Sequence, residues 1–529
     1  MLINLAEHDP NFDPALGLLA RKSKTSGYHT RLPEGTYVHE TRTSMHYALA
    51  CLAACQAGHA DGQTWRLARA RTVIDAVLKL QDIDPMSPTF GNWSYFYEEP
   101  LEKMAPPDWN WADFIGAAIA QMLAEHGEHL DDALRHRMRF ALDCAAMCIF
   151  RRKTSPGYTN IAIMGAGVCA AAGELLDRPV LLDYGRRRLQ AVLDLANELG
   201  AVSEYNSPTY TMVAVEECER ILAIVKSTAV RRSATELLEA VWKMVEEHWH
   251  PPTNQWAGPH SRAYSDRLFP SIAERLEHRF EIPAPLPRTV TMNLGVTPNG
   301  VRKVGTTWLA PTCCLGAISI EHTWTQRRPL IAYWNAAENV AFFRVQWLMD
   351  GRDMPGLRLL MAHEQNRVLL GCYPLHTCGP WHPQFDIPEG GIFTPQDLRL
   401  RFLVDAPGAE IMQLSGTRYE LAAADHRVRI DLPEALTFDG RAVRVEVAQH
   451  ADHVTLDLVC AQDGQRVDYP NLQLRLAAAI QLLCPGTEAR EATVTINDRP
   501  AGADRIIVAA EGLTGQTLDV PARAEAFDF

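Results

Sequence analysis

With 529 residues the chain is too long for one ordinary core, so two or more domains are expected. It is 47% hydrophobic and 22% charged, the composition of a globular protein. Its formal charge of -13 excludes a general nucleic-acid or anionic-membrane binder, which needs a basic face, while a local Arg or Lys cluster can still hold a small polyanion.

The opening stretch Met1–Pro10 has no basic region followed by an apolar one, so no secretory signal is visible and a cytoplasmic protein is expected. Residues 1–37 read as irregular, interrupted by Pro10, Pro14 and Pro33. From residue 38 the pattern is helical. Apolar residues recur at three- and four-residue spacing over 41–57, 64–81, 111–126, 131–152, 160–176, 179–199, 211–228 and 232–248. Such Ala-rich segments suggest stacked antiparallel hairpins that close into an α/α toroid, an incomplete helical barrel spanning 38–282. The longest apolar run, Ile161–Leu176, is short and Gly/Ala-rich, a buried helix and not a membrane span.

After the proline-rich joint at 283–287 short alternating runs dominate, such as Val340–Trp347, Arg399–Val404 and Ala442–Val447. Asp-Gly pairs at 350, 439 and 463 punctuate them, which points to an antiparallel β-sandwich over 283–529 and an α+β multidomain chain. The twelve cysteines include no CxxC pair, and Cys51/Cys55 and Cys144/Cys148 fall within apolar helical patterns, so reduced core thiols are expected. His248, His250 and His260 lack the acid–histidine spacing of a metal centre, and no metal or cofactor is expected.

Four loops concentrate polar chemistry. The richest is Gly200-Ala-Val-Ser-Glu-Tyr-Asn-Ser-Pro-Thr-Tyr210, with Glu204, Tyr205, Asn206 and Tyr210 inside eleven residues between two helices. It also reads as a capped turn, since Ser203 or Asn206 suits an N-cap and Pro208 a first helical turn. Trp93 and Tyr97 in one loop, with Trp109, Asn110 and Trp111 in the next, suit stacking on sugar faces or, alternatively, sealing of helix ends. Tyr158 precedes Asn160 at a helix start, where free N–H groups favour an anion or simply a cap. His260, Arg262 and Tyr264 sit together, Arg262 being a fork for a carboxylate or a partner for Asp266.

In order, these motifs resemble the α/α-toroid polysaccharide lyases, the heparinase II/III-like and chondroitin/alginate lyase-like group. Glu204-x-x-Ser207-Pro208-x-Tyr210 is similar to the Glu-x-Ser-Pro-x-Tyr motif of heparinase III-type enzymes with one extra residue, and Trp109-Asn110-Trp111 with Ile115-Gly116 to the Asn-Trp-Trp and Ile-Gly motif of chondroitin lyases. The resemblance implies β-elimination at a uronate in an oligosaccharide or polysaccharide. It casts Tyr210 as base and acid with Tyr205 second, Asn160 and Arg262 as partners of the carboxylate, and Glu204 as an orienting group. It further implies substrate contacts from Trp93, Tyr97, Trp109, Asn110, Trp111, Tyr158, Asn206, His260 and Tyr264. The chain departs from the pattern in having no histidine on a family motif; His322, His363, His376 and His382 are the β-half candidates. Two other readings stand beside it. One is a glycoside hydrolase pairing Glu204 with Asp113, Glu98 or Glu99; the other is a non-catalytic sugar-binding protein. Oligomerisation is left open.

Overall fold

The computed structural model describes residues 3–24, 29–56, 63–280, 284–297, 300–337, 339–376, 391–499, 504–513 and 515–526. After a one-turn helix α1 (Leu5–His8) come α2 (Thr41–Gln56), α3 (Gln63–Leu78), α4 (Trp111–Glu125), α5 (Asp132–Arg152) and α6 (Thr159–Leu175). They are followed by α7 (Pro179–Leu199), α8 (Tyr210–Ile224), α9 (Thr228–His248) and α10 (Pro270–Arg279). The eight long helices lie where the apolar spacing places them. Two departures come from short elements: a three-stranded sheet of Phe12–Asp13, Leu18–Lys22 and Tyr37–Glu40 within the supposedly irregular start, and α10.

The chain divides into two compact units, 1–197 with 212–241, and 198–211 with 242–529. The 198–211 loop and residues 242–282 therefore group with the β half and not with the helices.

In the helical unit α4 packs on α2 and α6, while α5 packs on α3, α4 and α6. This is the two-layered arrangement of an α/α toroid. Its cause is visible in the side chains. Helix α6 is a run of small and apolar residues buried from Thr159 to Gly173, whereas α5 and α7 carry charged outer faces. Small residues let helices approach closely: a Cβ on Gly185 of α7 would overlap the Ala166 carbonyl of α6. No described helix is long and apolar enough to cross a membrane.

The second unit is antiparallel β. One sheet runs in the order Arg444–Gln449, His453–Gln462, Asp397–Asp405, Asn339–Met349, Leu330–Ala336, Cys313–Ile318, Arg302–Leu309, Arg288–Val296. The other centres on Leu474–Leu483, Arg367–His376 and Leu357–Glu364, and the chain passes between sheets at Ser319, from Cys313–Ile318 to Ile320–His322. The strand Asp397–Asp405 alternates buried and half-buried residues. Cys313–Ile318 is buried throughout because something covers its outer face too. That cover is the segment 257–263. Ala257 packs with Leu309, Cys314, Ile331, Tyr333 and Phe342, and Thr307 Oγ1 donates to the Gly258 carbonyl at 2.6 Å. Gly316 lies directly beneath, where any Cβ would collide with the Gly258 carbonyl. Gly316→Ala should therefore destabilise the protein by ~2 kcal/mol or more in urea unfolding, and an unchanged midpoint would contradict this close approach.

Candidate active site

Residues 257–263 form a strap across the sheet, and the loop 204–210 is sewn to it. Asn206 has a left-handed backbone (φ 47°) and is fully buried. Its Nδ2 donates to the carbonyls of Ala257 at 2.6 Å and Pro259 at 3.0 Å, and its Oδ1 accepts from Trp256 Nε1. The Asn206 carbonyl meets His260 Nδ1 at 2.7 Å, and the Tyr205 carbonyl accepts from Ser261 Oγ at 2.6 Å. Ser207 Oγ donates to the Arg262 carbonyl at 2.6 Å and accepts the Tyr210 amide at 3.1 Å, capping the first turn of α8. A capped turn does form, but the capping side chain is Ser207 where the sequence suggested Ser203 or Asn206, and the same bonds fix where Arg262 and Tyr210 begin.

Arg262 reaches outward in three directions. Its Nη1 donates to Glu204 Oε1 at 3.1 Å, its Nη2 to the Tyr210 hydroxyl at 3.0 Å, and its Nε to Gln326 Oε1 at 2.9 Å. The guanidinium also lies over the Tyr210 ring, 4.0 Å from its centroid, and 5.6 Å from that of Trp324. The Tyr210 hydroxyl is 2.6 Å from that of Tyr264, whose side chain is exposed. A buried carboxylate, a half-buried cation and two phenols therefore share one hydrogen-bonded chain. The alternative pairing of Arg262 with Asp266 does not form; Asp266 instead receives Arg328 and Arg344.

Tyr205 is corrected from second candidate base to structural residue. It is buried and donates to Glu321 Oε2 at 3.2 Å. Burial, then the Glu321 charge, pushes its phenol well above its ordinary value. Glu321 also binds Lys303 at 2.6 Å, His322 at 3.0 Å and Arg327; the Arg327 and Lys303 charges, with the His322 hydrogen bond, overcome its burial and hold it well below the usual carboxylate range.

The helical unit gathers a separate cluster. Asn110 Nδ2 donates to the Tyr158 hydroxyl at 3.1 Å. Trp111 lies against Tyr95, with ring centroids 3.9 Å apart, and donates to Thr41 Oγ1 at 3.0 Å. Trp109 and Tyr97 are exposed, 36% and 46%, as a sugar platform requires. Trp93 is not: it is fully buried with Nε1 on the Val77 carbonyl at 2.9 Å, a core residue. Asn160 is buried as the second residue of α6.

Residues 4–271, about half of the chain, match a protein family described as a domain of unknown function, DUF8769. The chain belongs to the DUF8769 family. No curated protein matches it in sequence. Among solved structures it is similar to heparinase III, at 11% identity and a TM-score of 0.45, covering 90% of this chain and 82% of that one. It is similar also to a point mutant of the Streptomyces coelicolor A3 chondroitin AC lyase, at 9% identity and a TM-score of 0.31, covering 90% of this chain and 95% of that one.

In this DUF8769 member His260 and Asn206, read from sequence as substrate contacts, are buried and bond to backbone groups. His260 is buried against Asn206, and burial lowers its imidazole to about 3; it does not contact solvent as a substrate ligand must. Burial likewise lowers His322 and His363 to about 4. His382 lies outside the described residues, as does the side chain of His376. Among the described residues no group of three His, Cys, Asp or Glu side chains converges as a metal site would. Gln326 and Trp324 were missed; the only hint was the dense run Trp324-Thr-Gln-Arg-Arg328, more than 60 positions from Arg262.

His248 and His250, lowered by burial to about 4, join His260 as neutral core imidazoles. The unfolded chain takes up these protons near 6.5 and the folded one does not. Stability is therefore complete above about pH 6.5 and falls as pH drops toward 4, by up to about 1.4 kcal/mol per pH unit for each imidazole. Urea unfolding at pH 7.5, 5.5 and 4.5 checks this, and a flat profile would refute it.

Proposed function

We propose that the protein is a lyase of uronate-containing oligosaccharides or polysaccharides that works by β-elimination. One observation carries the reading: the Arg262 guanidinium that donates to the Tyr210 oxygen also lies over the Tyr210 ring. Removing the C5 proton of a uronate requires a base strong enough for a weak carbon acid and a cation for the enolate-like charge that develops on the carboxylate. A hydrogen bond and a positive charge on a phenol oxygen both favour the phenolate, so Tyr210 is the base. Glu204 fixes the opposite edge of the same guanidinium, which makes it a positioning residue. Arg262 is the cation on the reacting tyrosine, and a substrate carboxylate held at Tyr210 meets it first.

Hydrolysis would instead require Glu204 and a second carboxyl, each free for acid–base work. Each carboxyl offered by the sequence already has an oxygen bonded to another residue, although burial raises Asp113 to about 6. Asp113 is buried and bound to Arg152 at 2.5 Å, and Glu98 is bound to His39 at 2.5 Å. Glu99 is buried and accepts the Arg31 amide at 2.7 Å. Glu204 itself is held by Arg262.

A panel of uronate oligosaccharides, followed by the ultraviolet absorbance of the unsaturated product, tests the proposal. Tyr210→Phe should lower that signal by about 10²-fold or more. Glu204→Gln, which keeps the shape and loses the ion pair, should cost less. Reducing sugar released without the absorbance would show hydrolysis, and full activity in Tyr210→Phe with none in Glu204→Gln would overturn the assignment.

A further inference from the structure

The histidines read from the sequence as partners of such a reaction are engaged elsewhere: His260 is buried against Asn206, and the half-buried His322 and His363 meet Glu321 and the Thr306 and Gln365 carbonyls. The geometry points to Tyr264. We propose that Tyr264 is the general acid that protonates the departing glycosidic oxygen, with Tyr210 the base. The inference rests on the lyase reading above and assigns the half of the chemistry which that reading leaves open.

Three observations carry it. The two phenol oxygens are 2.6 Å apart, close enough to share a proton. Their rings are tilted by 49° with centroids 5.9 Å apart, so the rings do not stack but converge at their hydroxyls. The cation sits on the Tyr210 side of the pair: Arg262 Nη2 donates to the Tyr210 oxygen. When the pair holds a single proton, the negative charge is therefore best placed on Tyr210, and Tyr264 keeps the proton. Tyr264 is also the more accessible, at 55% exposed, where a sugar oxygen can reach it.

The step balances. The Tyr210 phenolate takes the C5 proton, the C4–C5 double bond forms, and the C4–O4 bond breaks. Tyr264 gives its hydroxyl proton to O4, which leaves as an alcohol. Tyr210 is then a phenol and Tyr264 a phenolate, and one proton hop across the 2.6 Å bond restores the starting state. No water and no external acid or base is consumed.

Two hydroxyls this close cannot straddle a sugar ring, so the proton removed and the oxygen released lie on the same face. Uronates with C5–H and C4–O on one side, as in glucuronate or mannuronate, fit; those with the two on opposite sides, as in iduronate or guluronate, do not.

A leaving group that needs no proton isolates the acid. Full-length wild-type, Tyr264→Phe and Tyr210→Phe proteins are compared on a 4-O-glycosyl glucuronide and on a 4-deoxy-4-fluoro glucuronide, whose fluoride departs unprotonated. Tyr264→Phe should lose about 10²-fold or more in kcat on the glycosyl substrate yet eliminate fluoride near the wild-type rate, while Tyr210→Phe loses both. Tyr264→Phe that keeps its glycosyl activity, or that slows both substrates equally, overturns the assignment of the acid and leaves the lyase reading intact. A wild-type protein that forms unsaturated product from neither substrate overturns that reading and this inference together. Because Tyr264 is a surface residue, its loss of hydroxyl should leave thermal unfolding unchanged, which separates lost chemistry from lost fold.

Discussion

The position of one guanidinium decides what the second unit can do. Arg262 spends its donors on a carboxylate, an amide oxygen and a phenol, and lays its face on that phenol's ring. A cation drawn out of water costs energy that the Glu204 charge only partly offsets, so the arrangement is better understood as orientation than as stabilisation. The planar fork is what allows it: a lysine ammonium could neutralise Glu204 but could not simultaneously hold Tyr210 and Gln326 at fixed angles.

That fork is held in turn by backbone. The strap at 257–263 lies on the outer face of a sheet whose strands are small at the crossing, Gly316 above all, and it is tied sideways to residues 326–328 by hydrogen bonds from His260 and Ala263. Asn206 does for the loop what a strand partner does for a strand: its amide satisfies two carbonyls of the strap that would otherwise be buried without donors. The imidazoles of His248, His250 and His260 are buried as well, each meeting a backbone carbonyl. Polar residues that look functional in sequence are here the means of burying an irregular segment without leaving its backbone unsatisfied.

The helical unit follows different rules. Its two layers come from helices that differ in how much charge they carry, with α4 and α6 nearly bare of it and α3, α5 and α7 charged on one side. Near the starts of α4 and α6 Asn110 bonds to Tyr158 and Trp111 lies against Tyr95, while Trp109 and Tyr97 are left outward.

The sequence by itself determined the eight long helices, the change to antiparallel strands, and the prominence of Glu204, Tyr210 and Arg262. Helical and strand periodicity are local, and a polar loop between apolar helices stands out without any partner. Tertiary structure alone decided the rest. Tyr205 and Tyr210 are five positions apart and only a motif resemblance ranks Tyr210 first, but in the fold one phenol is sealed against Glu321 and the other lies under Arg262. Trp93 and Trp109 were likewise indistinguishable until burial separated them. The grouping of 198–211 and 242–282 with the β half, the arrival of Gln326 beside Arg262, and the Tyr210–Tyr264 pair all depend on contacts across 50 or more residues. Such contacts are set by packing and by the need to pair buried polar groups, and neither leaves a periodic trace in the chain.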